Sequence, residues 1–458
     1  MKKLISAVLA LAMVLAFAGC AATPTATEAP VTEAPATEAP ATEAPTEAPT
    51  EAPAEPEAAV MTYAEYAAAE LEAPVVIEGY VQAHQSWWDN KITVYLQDED
   101  GAYFLYECAC SEEDAAKLVP GTPVRVTGFK GEWAGEVEVV DGTLEILEGE
   151  GWIADAYDVT DLLGTEELIQ HQNQKVFFKG LTVEKIEYKN GEPGDDIYVT
   201  VSYNGASYGF CVERYLTGPE TEVYAAVGAL NEGDTVDIEG FLYWYEGVNT
   251  HITSVAPSTG MTHADYAAAG MDAEVVVETY VQAHQSWWDI KVTVYCQSPD
   301  GAYFLYELAC TEEDAAKLVP GTCIRVSGYK GEWAGEVEIV DGTFELVPGR
   351  TYIAKALDVT ELLDTEELAA HQNEFVTFKG LTVEKIEYKN GEPGDDIYVT
   401  VGYNGASYSF CVERYLTGPE TEVYAAVGAL NVGDIVDIEG FLYWYEGVNT
   451  HITAVKAQ

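Results

Sequence analysis

At 458 residues the chain is too long for one hydrophobic core, so several domains are expected. A 48% hydrophobic and 11% aromatic composition excludes wholesale disorder. Acidic residues outnumber basic ones by 78 to 22, and the net charge of −56 opposes phosphate backbones and anionic headgroups while favouring cations or basic partners.

The N-terminus reads as an export signal. Met1-Lys2-Lys3 is a positive start, and Leu4 to Phe17 is an apolar run too short for a stable membrane span. The run closes on Phe17-Ala18-Gly19-Cys20, which resembles a bacterial lipoprotein signal. The resemblance implies that residues 1–20 are a signal peptide, that Cys20 is lipidated, and that the chain is held on the outer face of a bacterial membrane. Residues 21–60 repeat Thr-Glu-Ala-Pro. Prolines without N–H donors and mutually repelling glutamates favour an extended, disordered linker, with a reach on the order of 100 Å.

From Met61 the sequence is written twice. Val81-Gln82-Ala83-His84-Gln85-Ser86-Trp87-Trp88-Asp89 returns unchanged at Val281 to Asp289, an offset of 281 − 81 = 200 that holds from Met61/Met261 to Val255/Val455. Within the copy, Thr62-Tyr63-Ala64-Glu65 is a capping box opening a short helix through Leu71. Val75 to Ala83 is strand-like, Trp87 to Asn90 a loop, and Ile92 to Gln97 a second strand. Asp98-Glu99-Asp100-Gly101 turns into a third strand, Ala102 to Glu107. Ser111-Glu112-Glu113-Asp114 starts a helix that Pro120-Gly121 ends. Val124 to Gly128 and Glu136 to Leu147 follow as strands joined by a loop over 129–135.

The order β-β-β-α-β-β is that of an OB-fold barrel. The second half of the copy repeats it: a helix over Thr165 to His171, strands Lys175 to Tyr188 and Ile197 to Tyr203, and the hairpin signal Asn204-Gly205. Strand Ser207 to Val212, a helix over Pro219 to Leu230, and strands Thr235 to Leu242 and Asn249 to Val255 complete it. The expected fold is therefore all-β with short helices. It comprises four tandem five-stranded OB-like barrels over 61–150, 151–258, 259–350 and 351–458, in two near-identical 200-residue repeats.

Tyr95-Leu96-Gln97-Asp98, Leu118-Val119-Pro120-Gly121-Thr122 and Val124-Arg125-Val126-Thr127-Gly128 resemble the bacterial secreted OB-fold modules, over 75–150 and 275–350. That group includes modules attached to exported nucleases. The phrases are fold signatures, and the group's nuclease domains have no counterpart here, so no catalytic role is implied.

OB barrels usually bind on the face of strands two and three, flanked by the loops between strands one and two and strands four and five. Both loops carry tryptophan here, Trp87 and Trp88 in one and Trp133 in the other, and strand three adds Tyr106. The second copy supplies Trp287, Trp288, Trp333 and Tyr306, and the second barrel of each copy supplies Trp244 and Trp444. Aromatic platforms stack on sugars, bases or proline. For Trp133 and Trp244, each followed shortly by Gly, the alternative is a structural one, pinning a barrel end. Two adjacent tryptophans in a loop cannot both turn inward easily.

His84, His284, His251 and His451 are isolated from any nucleophile, and Asp195-Asp196 lacks EF-hand spacing, so solvated or structural roles are expected. No P-loop or dinucleotide fingerprint occurs, and no cofactor or metal is expected. After Cys20, the cysteines exchange with Leu between copies (Cys108/Leu308, Leu96/Cys296), as small buried hydrophobes do.

The sequence thus points to a non-enzymatic, lipid-anchored surface protein that grips an extracellular glycan, peptide or protein through aromatic loops, touching the membrane only by its anchor. The alternatives are a single-stranded nucleic-acid binder, which the charge disfavours, and a structural spacer in the envelope.

Overall fold

The computed structural model describes residues 59–458. The signal peptide, Cys20 and nearly all of the linker lie outside the described residues.

Each barrel is built from strands whose inward positions are apolar. In the first, α1 (Tyr63–Ala68) starts on a capping box: Thr62 Oγ1 accepts from the Glu65 N–H at 3.3 Å, and the Glu65 carboxylate accepts from the Thr62 N–H at 2.9 Å. The helix stops at Ala68, short of the expected Leu71, because the buried Lys130 ammonium donates to the carbonyls of Tyr66, Ala67 and Ala69. β1 (Pro74–His84), β2 (Lys91–Gln97) and β3 (Ala102–Ala109) form an antiparallel meander. After α2 (Glu112–Ala115), capped by Ser111, come β4 (Pro123–Trp133) and β5 (Glu136–Ile146). β5 pairs parallel with β3, and β4 pairs with β1, so the sheet closes in the order β1-β2-β3-β5-β4. That closed order with a helix before β4 is the OB-type barrel.

β4 runs on to Trp133, where a loop was expected over 129–135. Ala134 (φ 53°) and Gly135 (φ 94°) make a two-residue turn in the left-handed region, so the hairpin stays paired to its tip. The Trp87-Trp88 segment is likewise a hairpin tip. Trp88 and Lys91 form a bridge around Asp89 (φ 47°) and Asn90 (φ 61°).

The second barrel comprises β6 (Ala156–Asp158), β7 (Lys175–Tyr188), β8 (Ile197–Tyr203), β9 (Ala206–Val212), α3 (Glu222–Gly228), β10 (Thr235–Phe241) and β11 (Asn249–Pro257). β10 pairs with β7 to close it. The helix expected over Thr165 to His171 is reduced to a 3₁₀ turn, Leu168–His171, followed by Asn173 at positive φ. The second copy repeats both barrels. All seven described cysteines are buried and unpaired.

The barrels of one copy meet along a seam. Tyr95 and Phe104, on the outer face of β2 and β3, are covered by Phe241 and Tyr243 of the second barrel, with the Tyr95 and Phe241 rings stacked 4.2 Å apart. The Tyr95 hydroxyl meets His251 Nδ1 at 2.6 Å. Burial pushes His251 down to about 3, so the imidazole is neutral at physiological pH. Glu136, fully buried, accepts from the Trp244 N–H at 2.7 Å and from Gln172 at 3.1 Å, and burial pushes its carboxyl up to about 8.

The two copies meet differently. β6 pairs with β7 on one side and with the strand Glu336–Thr351 of the third barrel on the other, at Arg350↔Ala156 and Thr351↔Tyr157, giving one 11-stranded sheet. Around it Glu278, 3% exposed at its side chain, pairs with Arg325 and with Arg350 at 3.0 Å. The Arg350 guanidinium lies 3.9 Å from the centre of the Phe177 ring, and the Tyr280 hydroxyl donates to buried Asp158 at 2.9 Å. No helix among the described residues is long and apolar enough to cross a membrane.

Candidate functional site: an aromatic cleft between barrels

The outer face of β2 and β3, the usual ligand platform of this barrel, is not open along its length. Side chains on one side of β3 alternate with those on the other. Tyr103 therefore enters the core, Phe104 is sealed under the second barrel, and only Tyr106 reaches solvent. What remains is a cleft of about 660 Å³ where the end of that face meets the second barrel. Trp87, Trp88 and Tyr106 line one side, and Arg214, Tyr215 and Pro219 the other.

The walls are fixed to each other. The Ser86 N–H donates to the Tyr215 carbonyl at 2.8 Å, and the copy repeats this at 2.7 Å between Ser286 and Tyr415. Trp87 is half-buried against the first core and its indole N–H donates to the Cys110 carbonyl at 2.9 Å; Trp287 does the same to Cys310 at 2.8 Å. Its neighbour Trp88 is 56% exposed, as is Trp288. The adjacent rings thus divide the work: the first anchors the hairpin and the second is displayed. Lys91 lies 5.9 Å from the Trp88 ring centre and pairs with Glu107 at 2.6 Å.

In the second copy the groove continues past Tyr306 to Tyr398, Tyr443 and Tyr445, with Asp396, Glu413 and Asn449 between the rings, in a volume of about 500 Å³. Gln85, Thr93 and Tyr106 border the volume in the first copy and their equivalents Gln285, Thr293 and Tyr306 border the volume in the second, so both volumes open on the same face of the barrel pair. Its polar complement is mixed but mostly acidic. Burial pushes Glu213 up to about 7, as it does Glu413 and Glu138. Arg214 stacks on Tyr215, 4.9 Å from the ring centre, and lies 3.7 Å from Asp195.

The other expected residues sit elsewhere. Trp133 and Trp333, 65% and 64% exposed, stand at the β4–β5 hairpin tip and its copy, outside the lining of both volumes. Trp244 and Trp444 are half-buried in the seam, packed on the second core and against Gly135 and Gly335. Tyr306 is exposed like Tyr106. Asp195 and Asp196 pair with Lys189, Arg214 and Asn190. No group of three or more His, Cys, Asp or Glu among the described residues is placed to hold a metal ion.

Sequence reasoning missed the second wall, Arg214 and Tyr215, and with it Tyr198, Tyr243 and Tyr245. The available signal was the internal comparison. Residues 178–201, 210–231 and 236–253 recur without change, while neighbouring positions differ.

No family model matches the chain, and no curated protein matches it. Among solved structures, a murine DNA-binding protein bound with double-stranded DNA is 11% identical, with a TM-score of 0.23, covering 41% of this chain and 97% of that one. A deletion mutant of the single-stranded DNA-binding protein from Thermus aquaticus is 13% identical, with a TM-score of 0.16, covering 42% and 97%. At those scores the similarity carries no argument about a ligand. The barrel assignment stands on the strand order.

Proposed function

We propose that the chain is a non-catalytic, surface-tethered binding protein whose barrel pairs grip an extracellular ligand in the aromatic cleft. The observation that supports this is a groove with exposed rings of Trp88, Tyr106 and Tyr215, repeated by Trp288, Tyr306 and Tyr415. Exposed aromatic rings clustered in one groove are unfavourable in water unless covered by a partner. Binding of single-stranded nucleic acid, the alternative from the sequence, is opposed by the acids at the groove and the net charge of −56. Micromolar retardation of an oligonucleotide at low salt would favour it instead.

The anchor belongs to the same proposal. Lipidation of Cys20 and the extended linker place the barrels outside the cell, clear of the membrane. Cys20→Ser is expected to release the protein from membranes, read by fractionation and by the mass of the N-terminal peptide. For the cleft, a glycan array and pull-down with the native chain and with Trp88→Ala/Trp288→Ala is the test. Loss of the captured ligand in the variant is expected, and an unchanged profile overturns the reading.

A further inference from the structure

We infer that the two grooves together take one neutral, repeating polysaccharide, each groove seating a short run of sugar rings. The inference rests on the cleft being a binding site, and it adds the class of ligand and the valency.

The class follows from which groups are free. Ring faces such as Trp88, Tyr106 and Tyr215 match the C–H faces of pyranoses, and Gln85, Thr93 and Arg214 at their edges match hydroxyls. Bases also stack, but they carry phosphates, and the cations near the cleft are already engaged: Lys91 by Glu107, Arg214 by Asp195. With Lys91 held by Glu107, Lys189 by Asp196 and Arg214 beside Asp195, the groove offers an anionic polymer no unpaired cation among these groups. A peptide adding as a strand needs an unpaired sheet edge, and closed barrels do not offer one at this face. The glutamates of the chain's own Thr-Glu-Ala-Pro linker would likewise meet no unpaired cation among these groups.

The valency follows from where the copies differ. Every residue lining the 660 Å³ cleft recurs unchanged 200 positions on, and along the rest of the groove only Gly209/Ser409 differs. Several changes fall instead on the faces that form the junction or its unused equivalents: Gly79/Thr279, Glu150/Arg350, Tyr157/Leu357 and Phe177/Thr377. The shared sheet and the buried Glu278 ion pairs hold the grooves in a fixed relation. Two identical sites on one rigid body suit a ligand that repeats.

The test uses the full chain in affinity electrophoresis against hydroxyethylcellulose, barley β-glucan, galactomannan and mannan, with polygalacturonate and a proline-rich dodecapeptide as the anionic and peptide arms. Retardation by at least one neutral polymer and by neither other probe is expected. Trp88→Ala and Trp288→Ala, each with an unchanged melting temperature, should lower affinity for that polymer at least about tenfold. By calorimetry each should bind its hexasaccharide with native affinity at half the stoichiometry, and the double variant should bind neither. Retention only by polygalacturonate or the peptide overturns the neutral-glycan class while leaving the cleft as a binding site. Single variants that match the native chain on the polymer overturn the bivalency. No retention by any neutral polymer overturns the inference, and the broader reading falls with it only if the array profile is also indifferent to the tryptophans.

Discussion

The seam inside each copy and the junction between copies solve the same problem, joining two barrels, by different means. At the seam, aromatic rings from both barrels stack over the outer face of β2 and β3, and the rings are the same in both copies except that Phe375 joins the second where the first has Lys175. At the junction a shared strand edge and buried ion pairs do the joining, and there Glu278, Arg325, Tyr280 and Asp158 match their counterparts 200 positions away while Arg350, Thr351, Tyr157 and Phe177 do not. Glu278 is nearly inaccessible between two arginines, whereas the Glu78 side chain is 39% exposed and pairs with Arg125. Where copy two has Arg350, copy one has an exposed Glu150. A duplicated module therefore kept the surface that shapes the cleft and altered the surface that joins the duplicates. Joining a module to its own copy sets one face against a different one, so a residue that is useful on the joined face of one copy has no partner on the equivalent face of the other.

The largest expected effect comes from undoing that asymmetry. Arg350→Glu sets a like charge against buried Glu278 and removes the cation from Phe177, costing on the order of 3–5 kcal/mol. Calorimetry should show the copies melting separately, with new protease cleavage near residue 258. Next, the adjacent tryptophans should part company. Trp87→Ala removes a ring packed on the core and costs about 2–3 kcal/mol, while Trp88→Ala changes stability by less than about 0.5 kcal/mol, both read by urea denaturation.

The seam should respond to pH through Glu136 and Glu336. Burial raises each from an ordinary 4.5 to about 8. The stability associated with the protonated form is fully present below pH 4.5 and is lost as pH rises through 8. Glu136→Gln/Glu336→Gln should flatten this profile, so that the variant gains stability relative to the native chain as pH rises from 5 to 8.5, read from melting temperatures across that range. Equal pH profiles would remove the carboxyls from the account. The smallest effect is the converse of the first: Glu150→Arg on the exposed equivalent face should change stability by no more than about 0.5 kcal/mol.

Much of the fold was legible because its signals are local. Alternation gave the strands, Thr62 and Ser111 with their acids gave the helix starts, and Asn204-Gly205 gave a hairpin. Misreadings came where a distant group intervened. Lys130 ends α1 from β4, distant in sequence although adjacent in the sheet, and the turn at Ala134-Gly135 keeps β4 paired where a loop was expected. The site was half legible. The Trp-Trp repetition drew attention to one wall, but nothing local marks Arg214 and Tyr215 as its opposite.

By itself the sequence determined the period of the repeat, the barrel order and which side of each strand is apolar, since caps, turns and the two-residue pleat act over a few neighbours. Only the tertiary structure decided what covers the outer face of β2 and β3, which of two neighbouring tryptophans is displayed, and which loop completes the groove. Those outcomes depend on contacts such as Tyr95 with His251 and Ser86 with Tyr215, formed between residues more than a hundred positions apart. An alternating pattern says that a face exists, and it carries no information about what will lie against it.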